Sequence, residues 1–122
     1  MNIEHIGLYA TDSAMLADWY RDVLGLRVTS RIEKAGRLPV VFLQGADGAI
    51  LEILPTQTAD GDRGLDRPGF THLGLPVANL DAEKVRLEGH GVEVFGIRST
   101  SNGWTIGYLR DPEGNILELI QR

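Results

Sequence analysis

The chain opens on an alternation of apolar and polar positions over about residues 2–10, which predicts a β-strand. A helix is predicted next, because Asp12 or Ser13 can cap its N-terminus and Gly25 can end it. The apolar face of this helix consists of Leu16, Trp19, Tyr20, Val23 and Leu24. The residues after it predict three strands, at about 26–34, 38–44 and 48–55. Asp47-Gly48 is a hairpin signal between the last two.

The same pattern then occurs a second time. Residues 3–8 (IEHIGL) match residues 70–75 (FTHLGL) at an offset of 72 − 5 = 67. Residues 47–54 (DGAILEIL) match residues 113–120 (EGNILELI) at 118 − 52 = 66, so one residue is lost within the second helix region. The second half predicts strands at about 70–77, 91–98, 104–110 and 114–121, with a helix at about 80–89 capped by Asn79 or Asp81. Such a repeat indicates one structural module used twice.

This pattern predicts an α+β fold made of two βαβββ modules, residues 1–55 and 69–122. The polar, Gly-rich stretch 56–68 is interpreted as a surface linker between them. Each module buries one sheet face against its helix and leaves the other face open. Pairing of the two modules gives an eight-stranded cup lined by the open faces.

Composition narrows the classes of function. Of the 122 residues, 43% are hydrophobic and 24% charged, which is typical of a globular protein. No apolar run approaches the roughly 20 residues of a membrane span, and no signal sequence opens the chain, so we expect a cytoplasmic protein. The net charge of −5 argues against nucleic acid as a partner. Because there is no cysteine, a metal site must use His, Asp and Glu, which suit Zn, Ni, Co, Mn or Fe.

Four residues recur in register with the repeat: a His on the first strand and a Glu on the last strand of each half. His5 and Glu52 are 52 − 5 = 47 residues apart, and His72 and Glu118 are 118 − 72 = 46 apart. Strand alternation places all four on the open faces, since the residues flanking each Glu form the core. A single such residue is more often exposed or structural, but the recurrence favours a divalent metal site.

The sequence resembles the vicinal oxygen chelate superfamily. The resemblance rests on HIGL at residues 5–8, WYRDVLGL at 19–26 and DPEGNILEL at 111–119. Within that superfamily, His5, Glu52, His72 and Glu118 match the metal ligands of glyoxalase I. The resemblance implies a metal-dependent lyase or isomerase whose substrate chelates the ion through neighbouring oxygens. Ni, Co, Zn or Mn is expected, with Fe less favoured. Glu118 would act as the catalytic base and Glu52 as its counterpart.

The same resemblance implies a homodimer, in which His5 and Glu52 of one chain meet His72 and Glu118 of the other. It also leaves alternatives open. One is a drug- or metabolite-binding protein without metal, as in bleomycin resistance. The other is an epimerase or a dioxygenase of the same superfamily, whose ligand sets resemble this one less.

The small-molecule substrate is less well specified. Glutathione-dependent relatives have an Arg where this chain has Tyr9, so another thiol adduct, a hydroxyketone or another chelating metabolite is equally open. Arg98 begins a polar stretch that forms either a hairpin loop or a lid whose Arg binds an anionic substrate. Trp104 and Tyr108 share one strand face, which lines the cup or packs under the helix. His90 is interpreted as a solvated helix-end residue.

Overall fold

The computed structural model describes residues 1–57 and 68–122. It contains two compact units, which we call unit 1 (residues 1–57) and unit 2 (residues 68–122). The predicted linker, residues 56–68, falls for the most part outside the described residues. Among the helices of the described ranges, none has the length and apolar character needed to cross a membrane.

Unit 1 is a four-stranded sheet with one helix. Its elements are β1 (His5–Ala10), α1 (Ser13–Asp22), β2 (Arg27–Ile32), β3 (Val40–Gln44) and β4 (Ile50–Pro55). The strand order is β1-β4-β3-β2, with β1 parallel to β4 and the other pairs antiparallel. Placing the last strand beside the first brings the two strands that carry His5 and Glu52 into contact.

Unit 2 repeats this arrangement. Its elements are β5 (His72–Pro76), α2 (Leu80–Gly89), β6 (Phe95–Ser99), β7 (Thr105–Arg110) and β8 (Ile116–Gln121). The order is β5-β8-β7-β6, again with the first and last strands parallel. The predicted α+β fold with two βαβββ modules is confirmed.

Each helix begins where a side chain satisfies its free backbone N–H groups. The carboxylate of Asp12 accepts a hydrogen bond from the N–H of Met15 at 3.0 Å, and Asn79 Oδ1 accepts one from Ala82 at 3.0 Å. The helices cover one face of each sheet. Fully buried residues of this packing include Leu16, Tyr20, Leu43 and Ile53 in unit 1 and Leu80, Leu87, Leu109 and Leu117 in unit 2.

The face of each sheet away from its helix is called the open face. In β4, Leu51 and Ile53 are buried, so Glu52 between them points to the open face. In β8, Leu117 and Leu119 flank Glu118 in the same way. The alternation predicted from the sequence therefore holds for the strands that carry the two glutamates.

A bulge interrupts β2 in unit 1, between Val28 and Ser30, and β6 in unit 2, between Phe95 and Arg98. Strand β6 also begins at Phe95, later than the predicted start near residue 91, because Gly91 has a φ of +76° and continues the turn after α2. A bulge adds one residue to one strand and so changes which face the following side chains occupy.

Candidate functional site

In unit 1 the structure brings His5 and Glu52 together on the open face. The Nε2 atom of His5 lies 3.6 Å from Oε2 of Glu52. Gly7 is the register partner of Glu52 on β1, and a Cβ there would lie 4.0 Å from Oε2 of Glu52. Because Gly7 has no side chain, the imidazole of His5 can extend along the strand toward the carboxylate.

Unit 2 brings His72 and Glu118 together in the same way. Nε2 of His72 lies 3.4 Å from Oε2 of Glu118. Gly74 is the register partner of Glu118, and a Cβ at Gly74 would meet no heavy atom within 4 Å. The same spatial motif is thus built twice, as the sequence repeat predicts.

The 3.4 Å distance in unit 2 fits two ligands of one metal ion better than a hydrogen bond, and the 3.6 Å distance in unit 1 is slightly longer than either. An N–H···O hydrogen bond is about 2.7–3.2 Å long. Two ligand atoms that each lie about 2.1 Å from an ion, at tetrahedral or octahedral angles, are roughly 3.0–3.5 Å apart. Within the described residues of either unit, no group of three or more His, Asp or Glu side chains could hold an ion. Each unit therefore offers two side chains that could bind an ion.

The two carboxylates lie in partly apolar surroundings. The side chain of Glu52 is 21% exposed and that of Glu118 only 15%. Their neighbours on the same strand face are Ile50 and Leu54 for Glu52, and Ile116 and Ile120 for Glu118. An ionised carboxylate among such neighbours is stabilised by a positive partner, which either a histidinium or a metal ion would supply.

The residue before each histidine contacts its other ring nitrogen, a feature that the sequence analysis missed. Glu4 Oε2 forms a hydrogen bond with Nδ1 of His5, and this contact raises the pKa of His5 above its ordinary value. Thr71 Oγ1 lies 2.6 Å from Nδ1 of His72. Both residues stand just before the first residue of a strand, where alternation no longer fixes the direction of a side chain. The sequence feature that could have revealed these two contacts is the polar residue directly before each histidine.

The aromatic surroundings differ between the two units. Tyr108 pairs with Glu118 across β7 and β8, and its ring meets that of His72 edge-on at 6.0 Å. At the corresponding position of unit 1, Phe42 pairs with Glu52. At this cross-strand position unit 2 therefore has a phenol where unit 1 has a phenylalanine ring. Gly107 faces α2, since a Cβ at this position would meet Leu80 of that helix. Because side chains alternate along a strand, the neighbouring Tyr108 lies on the open face.

The remaining predicted residues lie at several places. Tyr9 is 62% exposed and shares the open face of unit 1 with His5. Trp104 stands just before β7, and Arg122, just after β8, stacks on its ring. The side chain of Gln121 accepts a hydrogen bond from the N–H of Leu80 in α2, so the neighbouring Arg122 and the Trp104 ring against it lie on the open face. Arg98 is exposed on β6 opposite Ile106. His90 is the exposed C-cap of α2, as expected for a helix-end residue.

Comparison with known proteins gives the following likenesses. Residues 2–119 match the model of the Glyoxalase/Bleomycin resistance protein/Dioxygenase superfamily. Uncharacterized protein YaeR of Escherichia coli (strain K12) is 29% identical over 126 residues, covering 98% of this chain and 95% of that protein.

Two solved structures extend this likeness to the fold. A lactoylglutathione lyase from Agrobacterium tumefaciens is 26% identical with a TM-score of 0.72, covering 98% of this chain and 92% of that one. A glyoxalase family protein from Enterococcus faecalis has a TM-score of 0.81 at 22% identity, with 98% and 96% covered. The likeness extends over nearly the whole chain.

Proposed function

Because this chain belongs to the Glyoxalase/Bleomycin resistance protein/Dioxygenase superfamily, we propose that it is a metal-dependent lyase or isomerase similar to glyoxalase I. The observation that carries the proposal is the repeated His–Glu pair, with Nε2 to Oε2 distances of 3.6 Å for His5 and Glu52 and 3.4 Å for His72 and Glu118. In the crossed homodimer expected from the resemblance, one pair from each chain would provide two imidazoles and two carboxylates for one divalent ion. Ni, Co, Zn or Mn suits this ligand set.

A divalent ion at this site would polarise a substrate carbonyl and so acidify the neighbouring C–H bond. Glu118 would then take the proton from that carbon and return it to the adjacent carbon, while the hydroxyl proton moves to the neighbouring oxygen, so that the product is an isomer of the substrate. The apolar neighbours of Glu118 and its low exposure of 15% limit the contact of the carboxylate with water. Glu52 would act as its counterpart, as the resemblance implies. The phenol of Tyr108, which pairs with Glu118 in the sheet, would bind a substrate oxygen.

A substrate that chelates the metal through neighbouring oxygens need not contain glutathione. The name of the Agrobacterium tumefaciens structure, a lactoylglutathione lyase, makes a glutathione adduct one candidate substrate for this chain. Tyr9, however, is an exposed phenol at the position where glutathione-using relatives have a cation. We therefore propose another thiol adduct or a hydroxyketone as substrate. Tyr9→Arg should increase turnover of methylglyoxal with glutathione relative to other substrates, without altering metal content.

The competing function is a metal-free binding protein of the bleomycin-resistance kind. Elemental analysis after reconstitution separates the two functions, because the proposal requires close to one bound ion for each set of four ligands. His72→Ala should lose the ion, while His90→Ala, which alters the exposed helix-end histidine, should keep it. If wild type binds no more metal than His72→Ala does, the binding protein is the better interpretation.

Turnover tests the role of Glu118. Wild type and Glu118→Gln are assayed with methylglyoxal and several thiols, with hydroxyketones and with acyl-CoA epimers. Loss of the base should reduce turnover by about 10²–10⁴-fold. The matched control is Glu88→Gln, since Glu88 is an exposed helix carboxylate paired with Lys84, and it should keep full activity. A Glu118→Gln variant as active as wild type would refute the mechanism.

The proposal also includes the cytoplasmic homodimer expected from the sequence.

A further inference from the structure

The open faces of the two units carry different charges at corresponding positions. Arg98 stands where unit 1 has Ile32, since 98 − 66 = 32, and Arg122 stands where it has Thr56, since 122 − 66 = 56. The backbone pattern is shared, because Ile32 pairs with Val40 as Arg98 pairs with Ile106. The sheet therefore does not require arginine at these positions. In a chain of net charge −5, two such cations on the face that carries Glu118 indicate a role in binding.

The bulge in β6 determines the face that Arg98 occupies. Phe95 pairs with Tyr108 and Arg98 with Ile106, so three steps along β6 correspond to two along β7. Without the extra residue, Arg98 would point to the face covered by α2. With it, Arg98 shares the open face with Tyr108. Its side chain is exposed, and it forms no ion pair with a carboxylate of the described residues.

Arg122 is held in place by an aromatic ring. Its guanidinium carbon lies 4.7 Å from the centroid of the Trp104 ring. Trp104 is fixed in turn by Thr100, whose N–H donates to the Trp104 carbonyl at 2.8 Å and whose hydroxyl accepts from the Trp104 N–H at 3.1 Å. A guanidinium stacked on a ring keeps its in-plane N–H donors available for a carboxylate or phosphate. Arg110, also on this face, instead donates to the Gly114 carbonyl at 3.0 Å.

We propose that Arg98 and Arg122 bind an anionic group of the substrate, at a distance from the oxygens that chelate the metal. The inference rests on the function proposed above. Arg122 is four residues beyond Glu118 on the same strand, about 13 Å along it. Arg98 lies two strands across the sheet from Glu118 and two residues further along, so their backbone positions are about 12 Å apart. Since both side chains are long, the anion lies roughly 10 Å from Glu118. The substrate class is therefore a chelating compound with a carboxylate or phosphate at its other end.

Two hydroxamates of equal length test this inference by binding alone. Suberic acid monohydroxamate has a chelating group at one end and a carboxylate at the other, whereas octanohydroxamic acid ends in a methyl group. Their dissociation constants are measured by calorimetry on the metal-loaded protein. The charged probe should bind about 10-fold more tightly than the neutral one, as expected for hydrogen bonds to a charged group. The phosphonate of the same length shows whether carboxylate or phosphate is preferred.

Variants then assign the preference to the two arginines. Arg98→Gln and Arg122→Gln should each reduce the advantage of the charged probe, and Arg98→Lys should keep part of it. The matched control is Arg31→Gln, because Arg31 is an exposed strand arginine that pairs with Glu33 and, through its partner Val41, lies on the other face of its sheet. It removes the same charge and should leave the preference unchanged.

The outcomes separate this inference from the function on which it rests. Equal binding of both probes to wild type, with metal bound, overturns the anion site and leaves the metal site standing. An equal loss in Arg31→Gln would assign the effect to net charge and also overturn the inference. If neither hydroxamate binds the metal-loaded protein, the proposed metal chemistry fails, and the inference fails with it.

Discussion

Oγ1 of Thr71 lies 2.6 Å from Nδ1 of His72, while Nε2 of the same ring faces Glu118 at 3.4 Å. The hydroxyl thus holds the ring by the nitrogen that the metal would not use. A partner of this kind fixes the orientation and tautomer of a ligating histidine. Thr71→Val, which removes the hydroxyl at nearly constant volume, should weaken metal binding by about 10–100-fold. Competition with a chelator of known affinity measures the effect.

Thr71→Ser provides the matched control, since it keeps the hydroxyl and should bind metal like wild type. Glu4→Ala should weaken metal binding as well, because Glu4 contacts Nδ1 of His5. Glu33→Ala removes an exposed carboxylate far along the chain and should not. Unchanged affinity in both Thr71→Val and Glu4→Ala would show that these contacts do not orient the ligands.

Asp111 closes the turn between β7 and β8 and should matter for stability. It is 4% exposed, and its Oδ1 accepts hydrogen bonds from the N–H groups of Glu113 and Asn115, both at 2.9 Å. Asp111→Ala leaves these donors without that partner and should reduce the free energy of unfolding by about 1–3 kcal/mol. Urea unfolding followed by circular dichroism gives the value. Asp47→Ala, in the exposed hairpin of unit 1, should change it by less than about 0.5 kcal/mol. Similar losses in the two variants would contradict this account.

Gly96 allows the ring of Tyr108 to lie against β6. Its φ is +64°, and a Cβ at this position would lie 3.1 Å from Cδ2 of Tyr108. Gly96→Ala should therefore destabilise the protein by about 1–2 kcal/mol, through backbone strain and displacement of the ring. Gly89→Ala is the control, because Gly89 ends α2 with no heavy atom within 4 Å of its Cβ position. That change should be neutral or stabilising by up to about 1 kcal/mol. Thermal unfolding of both variants compares them directly, and a neutral Gly96→Ala would refute the prediction.

The homodimer is tested by complementation. In the crossed arrangement expected from the resemblance, each site takes His5 from one chain and His72 from the other. A heterodimer of His5→Ala and His72→Ala then has one site with both histidines and one site with neither. Mixing the two inactive variants should partly restore metal binding and turnover. Native mass spectrometry verifies that heterodimers have formed. If they form without any recovery, each site lies within a single chain.

The sequence by itself determined the two modules and the residues that each places on its open face. Alternation with a period of two makes Glu52 and Glu118 point away from the helices, and the repeat associates each with a histidine on the first strand. These are properties of local periodicity, so they can be recognised without knowing which strands pair. The resemblance stated from the same residues is confirmed by the family match over residues 2–119.

The tertiary structure decided the features that depend on contacts between distant residues. Asp12 rather than Ser13 caps α1, because the Ser13 hydroxyl donates instead to the Pro39 carbonyl at 2.5 Å, 26 residues away. A bulge, which side-chain alternation does not predict, gives Arg98 its face. The stacking of Arg122 on Trp104 depends on the pairing of β7 with β8. Periodicity fixes the direction of a side chain only while a strand is regular, and beyond its ends or at a bulge the direction is set by the neighbours that folding supplies.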